Sequence, residues 1–242
     1  MNKMTNQISI SQRLHESLGQ VIATARPGER LPSEPDLARR LGVSRATLRE
    51  AMRTFETQGL IRRQQGVGTF VLRPTHVLDS GLEVLESIET LAERIGLEVS
   101  LGEFKVSMRP ADQEEVEALG LEPGSQVTRI SRVIQAEERP VAFLIDVLPP
   151  DVLSPEDLES DFSGSVLDLL IQRGDPTLIN SNCEIGAVAA SSDIARALNI
   201  QRGDALLRFI SRLYSVDGRA IDYSFSYFLP GYFRFHVIRE LG

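Results

Sequence analysis

One stretch constrains this chain more than any other: Leu31–Val71, LPSEPDLARRLGVSRATLREAMRTFETQGLIRRQQGVGTFV. Ser33 is a good helix N-cap, with Asp36 three residues on as a near capping box. Leu37 and Leu41 give that helix a buried side. Gly42 and Val43 break the pattern, and Ser44 caps a longer helix to about Gln58, stopped by Gly59. Its apolar contacts are Ala46, Leu48, Ala51, Met52 and Phe55. Two helices joined by so tight a turn form a helix-turn-helix. Leu60–Gln64 and Thr69–Leu72 then read as short strands with Gln65–Gly68 as their tip, a hairpin that makes a wing. Upstream, Ser9–Ala25 reads as a helix with Leu14, Leu18, Val21 and Ile22 along one face, and Pro27-Gly28 turns the chain after it. Pro35 falls in the first turn of its helix, where no intrahelical N–H donor is needed.

Charge divides along the same line. Residues 1–75 carry 12 Lys/Arg against 6 Asp/Glu, whereas the other 167 residues carry 14 against 28. A basic module suited to nucleic acid is followed by an acidic body that nucleic acid repels. Arg45 and Arg49 lie four apart near the start of the longer helix, so they share a face. A helix in the major groove presents its first turns to base edges, and an arginine fork can donate twice to guanine. Arg45 and Arg49 are therefore the expected base readers. Thr47 suits a thymine methyl or a phosphate. Ser33, Ser44 and the helix-start amides suit phosphates, which position rather than specify. Gly66 and Gly68 let the wing tip approach the DNA backbone or minor groove, where Gln65 could hydrogen-bond. Arg39, Arg40, Arg53, Arg62 and Arg63 are as readily solvated or ion-paired as bound to DNA.

Other classes find little support. One cysteine excludes an intramolecular disulfide. Three histidines, at 15, 76 and 236, stand far apart without cysteine partners, so no metal site is expected. No apolar run approaches a membrane span, and the polar N-terminus has no signal-peptide core. A cytoplasmic protein without cofactors is the expectation.

Residues 76–98 read as a linker with a short helix near Leu85–Arg94. From Val99 onward, strands and helices alternate, and the chain repeats itself. LGLEPGSQVTRISRV…RPVAFLIDVLP matches LNIQRGDALLRFISRL…RAIDYSFSYFLP. Gly124 and Gly203 are 79 apart, as are Arg129 and Arg208, while Pro149 and Pro230 are 81 apart. The drift implies small insertions. Each copy reads as helix, sharp turn and hairpin, turning at AEER in the first and at Asp217-Gly218 in the second. Two such units build one antiparallel sheet covered by helices, an α+β fold with an internal pseudo-repeat over residues 99–242.

Residues 31–71 resemble the winged helix-turn-helix of the GntR family of bacterial transcription regulators, through LPSE, LGVSR, TLREA, GLI and GTFV. From about Pro110 to Phe235 the chain resembles the effector-sensing UTRA domain of that family's HutC subgroup, through LGLEPGS, RISRV, RPVAF and DGRAIDYSFSYF. The resemblance implies a chorismate-lyase-like fold that binds small metabolites and dimerises the protein. It also implies that Arg45 and Arg49 contact the operator, that Thr47 supports them, and that the wing glycine enters the minor groove. The family usually has arginine where this chain has Pro35. The expected protein is a sequence-specific regulator, a repressor, controlled by a small-molecule effector. It would act as a homodimer on palindromic double-stranded DNA and not as an enzyme.

Polar groups on apolar strands are the effector candidates. Arg129 and Arg132 are three apart and so on opposite strand faces, one toward a pocket and one toward water. The resemblance implies Arg132 for the pocket, since family members often carry an arginine at the end of this motif. Glu184, Arg212, Asp146 and Asp222 are further charged candidates, the last two in similar places in the two copies. Phe225 and Tyr227 share an aromatic face with Tyr223. Phe225 stands where the family often has arginine, and Leu144 and Ile145 stand where charged residues are common. An effector less anionic than a sugar phosphate, partly apolar and amine-bearing, fits these changes. Two other readings stay open. An enzyme with a lyase-like fold and a DNA-binding appendage would turn over a small molecule without DNA. A ligand-independent DNA-binding protein would show no ligand-dependent melting shift.

Overall fold

The structure, a computed structural model, describes residues 10–57, 60–64, 66–72, 78–94, 98–158, 162 and 164–237. It divides into two compact units, Met1–Thr75 and His76–Gly242. The architecture is α+β.

In the first unit, α1 (Ile10–Thr24), α2 (Glu34–Leu41) and α3 (Arg45–Thr57) precede β1 (Ile61–Gln64) and β2 (Gly68–Val71). Leu14, Leu18 and Ile22 recur every four residues on α1 and are buried with Leu37, Leu48, Met52, Phe55, Ile61 and Val71. Full burial of a side chain such as Leu18, Leu37 or Leu48 stabilises the unit by roughly 1.5–3 kcal/mol. Ala46, expected among these contacts, is exposed. It lies two residues before Leu48, a rotation of about 200° that puts it on the opposite side of α3. Gly42 ends α2 in the left-handed conformation at φ 66, donating its N–H to the Ala38 and Arg39 carbonyls. The wing pairs Ile61 with Val71 and Gln64 with Gly68. It gains an edge that the sequence reading assigned to a turn. The Leu31 N–H donates to the Thr69 carbonyl and the Val71 N–H to the Glu29 carbonyl, both at 2.8 Å.

The second unit is built on six strands: β4 (Val99–Pro110), β5 (Gln126–Ala136), β6 (Arg139–Leu148), β7 (Leu178–Ala189), β8 (Ala205–Ser215) and β9 (Ala220–Phe228). They form one sheet in the order β4-β5-β6-β9-β8-β7, antiparallel throughout. The two copies of the repeat meet at β6 and β9. Each contributes a hairpin, an outer strand and a short helix, α5 (Gln113–Leu119) or α7 (Ser192–Ala197). The first hairpin turns in two residues, Glu137 and Glu138, and the second in four, Val216–Arg219. That difference accounts for the two-residue drift between the copies.

On one sheet face lie α4 (Ile88–Arg94) and α6 (Val166–Arg173). Leu91 and Ala92 of α4 join Ile134, Leu144, Phe209 and Phe228, while Val166 and Leu170 of α6 join Ile130, Leu148 and Leu213. On the other face, Leu119 of α5 packs with Val127, Val147 and Tyr223. One pairing lies outside the sequence reading: β3 (Leu78–Gly81), placed there in the linker, runs parallel to β10 (Phe233–His236).

Candidate DNA-reading surface and effector site

Both serines proposed as phosphate contacts serve as helix caps. Ser33 Oγ accepts from the Asp36 N–H at 3.4 Å and donates to Asp36 Oδ2 at 2.6 Å. Ser44 Oγ accepts from the Thr47 N–H at 3.1 Å and lies 2.7 Å from Thr47 Oγ1. The cap thus fixes Thr47 and the first turn of α3. Pro35 is exposed within the first turn of α2. Arg45 and Arg49 are both exposed on α3, as their spacing requires.

The residue the sequence reading missed is Glu34. Its Oε2 accepts from Arg49 Nε at 2.7 Å, and its Oε1 accepts from Arg63 Nη2 at 2.5 Å. Arg45 Nη2 stands 4.0 Å from Oε2. Burial opposes ionisation of Glu34, yet hydrogen bonds and charge from Arg49 and Arg63 outweigh it and hold the carboxyl below its ordinary range. Arg63, left open between solvent, an ion pair and DNA by its sequence context, takes the ion pair in this cluster. Glutamate 34 is separated from these arginines by 15 and 29 positions, so no local pattern shows the contact.

At the wing, Gly66 adopts φ +76 with open space where a side chain would point, as a tip approaching another molecule requires. Gly68 differs. A Cβ there would lie 2.5 Å from Arg30 Nε, so its bareness seats the Arg30 side chain. Gln65 lies outside the described residues.

The seven effector candidates do not form one site. Strand register puts Arg132, Asp146 and Asp222 on the face covered by α4 and α6, and Phe225, Tyr227, Arg212 and Glu184 on the face of α5. Alternation along a pleated strand forbids joining the two sets through one sheet. On the first face Arg132 and Asp146 form a buried ion pair. Glu89 of α4, also missed in the sequence, places Oε1 3.9 Å from Arg132 Nε. Both Glu89 carboxylate oxygens, Arg132 Nε, Asp222 Oδ1 and Thr128 Oγ1 are buried without hydrogen-bond partners. Natural interiors satisfy nearly all such atoms, so their gathering on one face marks it as a candidate site.

Burial pushes the Glu89 and Asp146 carboxyls above their usual range, Arg132 opposing in each case. Burial, and then the charge of Asp146, pushes Asp222 well above it. Three carboxyls thus face one guanidinium. At the rim, Ser87 caps α4 by accepting from the Thr90 N–H at 2.9 Å and donates to Asp168 of α6 at 2.6 Å.

The opposite face holds a cavity of about 220 Å³ lined by Arg129, Ile145, Tyr223, Phe225 and Tyr227 among others. Arg129 therefore faces this cavity, and Arg132 faces the other side. Arg212 and Glu184 approach only to 3.9 Å, both well exposed. Among the described residues, no three His, Cys, Asp or Glu side chains are grouped to hold a metal. No helix among them is long and apolar enough to cross a membrane.

Residues 10–71 match the bacterial regulatory proteins of the gntR family, and residues 96–234 match the UTRA domain. The chain belongs to the GntR family, in its HutC subgroup. The HTH-type transcriptional regulator Rv0792c of Mycobacterium tuberculosis is 31% identical over 240 residues, 95% of this chain and 86% of that protein. The histidine utilization repressor of Pseudomonas putida is 29% identical over 192 residues, 78% of this chain and 75% of its own length. The crystal structure of PhnF from Mycobacterium smegmatis shares the fold, with TM-score 0.62 and 21% identity over 95% of this chain and 100% of that one. This GntR-family protein is a DNA-binding transcriptional regulator carrying a UTRA effector-sensing domain.

Proposed function

We propose that this regulator is a cytoplasmic, homodimeric repressor whose hold on a palindromic operator is set by a small effector. Arg45 and Arg49 read bases, Thr47 and the capped helix starts meet phosphates, and the wing tip at Gly66 follows the groove. A second copy places a second α3 in a successive major groove, as half-sites one turn apart demand. The effector enters the face beneath α4 and α6, against Glu89, Arg132, Asp146 and Asp222. The observation behind this choice is the set of buried polar atoms without partners there. Phe225 and Tyr227 then pack the opposite face and do not touch the effector.

Three carboxyls around one arginine disfavour a phosphate, which would add negative charge where burial already disfavours it. An amine-bearing, partly apolar metabolite supplies the missing donors and the opposite charge. The site binds and does not transform its ligand. A thermal-shift series on the full chain tests this, with amine-bearing metabolites set against phosphorylated ones. Hits are carried into DNA-binding assays and checked for turnover. Amines should raise the melting temperature and change DNA affinity. Asp146→Asn and Asp222→Asn should each weaken amine binding about tenfold or more. Stabilisation by phosphorylated compounds alone, unchanged amine affinity in both variants, or turnover would each defeat the reading.

A further inference from the structure

Three arginines from two elements converge on one carboxylate in the unit expected to read DNA. Glu34 is the first residue of α2, held in place by the Ser33 cap before it and by the fixed φ of Pro35 after it. Its side chain is 16% exposed and spends its two oxygens on different partners: Oε2 on Arg49 and Oε1 on Arg63. A lone surface ion pair would be worth little. This one is shared and half-enclosed, and it reaches both expected base readers.

The atoms used decide what it can do. Arg49 engages Glu34 through Nε, which leaves both terminal nitrogens of its fork to donate to a base. Arg63 gives one terminal nitrogen to Glu34, which ties the first wing strand to the same point. The carboxylate also puts a negative charge beside the reading surface. Any phosphate that reaches for these arginines must compete with a partner already in place.

We propose that Glu34 determines the specificity of DNA recognition: it orients Arg49 for base contacts, ties Arg63 of the wing to the same point, and keeps both from binding phosphates indiscriminately. The inference rests on α3 being the DNA-reading helix. Orientation lowers the entropy lost when the correct base is met. Competition for the guanidiniums penalises every sequence, and the correct sequence recovers that loss through base contacts. Glu34 thus lowers total affinity and raises the difference between right and wrong sites, which is how specificity is defined. It contacts other side chains, so it is a positioning residue.

The test uses the full-length protein and a randomised duplex library, since no operator sequence is needed in advance. Wild type and Glu34→Gln are each selected against the library. Both are then titrated with the wild-type winner and with an unselected duplex over a range of salt. For Glu34→Gln, binding to the unselected duplex should tighten about 3–10-fold, and its log–log salt slope should steepen by about 1. The ratio of selected to unselected affinity should fall about tenfold or more, with guanine preferences blurred. Glu34→Asp keeps the charge but shortens the reach. It should hold unselected binding near wild type and still lose part of the ratio.

Melting curves separate this role from a structural one. If Glu34→Gln is destabilised, Glu34→Asp decides on the ratio alone. A Glu34→Gln protein with the wild-type ratio and sequence preference would overturn the proposal, as would an Asp variant with an undiminished ratio. If wild type itself enriches no sequence, the DNA-reading assignment of α3 fails, and this inference fails with it.

Discussion

At the scale of single residues, Asp222 is a thermodynamic weakness of the fold. Its carboxyl is buried, has an oxygen without a partner, and is pushed well above the ordinary range by burial and by Asp146. A group whose folded pKa is raised contributes stability that is fully present below its unfolded pKa and is lost as pH rises through the folded value. Asp222→Asn removes the penalty. The variant should therefore melt close to wild type near pH 4 and above it at neutral pH, by about 1–3 kcal/mol once the folded pKa is passed. Melting curves across pH measure this, and a gap that stayed constant or shrank as pH rose would contradict it. Asp222 was legible in the sequence as an acid on an apolar strand. So were Arg45 and Arg49, because helical spacing alone places them together. Glu34 and Glu89 were not. Each earns its role from partners far along the chain, Arg63 in one case and Arg132 in the other, and no short window contains both members.

At the scale of elements, turns and caps were the legible parts. The AEER turn is tight as expected, and Glu137 and Glu138 take φ 51 and 61. Positive φ at both positions favours Asn-Gly, and glutamates there are strained and mutually repelling. Replacing the pair by Asn-Gly should stabilise the second unit by about 0.5–1 kcal/mol. Denaturant titration would register it as a higher midpoint at unchanged slope, and a lower midpoint would show that the glutamates are held by something else. The helix expected from Leu85 instead begins at Ile88, because Ser87 caps it. The pairing of β3 with β10 had no sequence signal. Each strand is four residues long, and their partners lie at opposite ends of the second unit. The split of the effector candidates had a signal only in part. Arg129 and Arg132 were separable by parity, but which face carried a helix with Glu89 was decided by packing.

At the scale of the whole molecule, a regulator must convert ligand binding into a change of DNA occupancy, and an effector bound at the proposed face would make that conversion depend on protons. Without ligand, burial holds the Glu89, Asp146 and Asp222 carboxyls above their ordinary range. An ammonium group placed among them reverses the balance and favours ionised carboxylates. Binding therefore releases protons wherever the empty site still holds them. By linkage, affinity for an amine-bearing effector should rise with pH, up to about tenfold per unit for each proton released. The rise ends when the carboxyls are ionised before binding, and it reverses once the ligand's own amine loses its proton. Calorimetry in two buffers of different ionisation enthalpy counts the protons directly. Glu89→Gln and Asp222→Asn should each reduce the number released, and the effector's influence on DNA binding should follow the same pH curve. A pH-independent affinity with no proton release would mean that the carboxyls are already ionised or that the ligand is not a cation. In the second case, the orphaned oxygens of Glu89 and Asp222 would need a different partner.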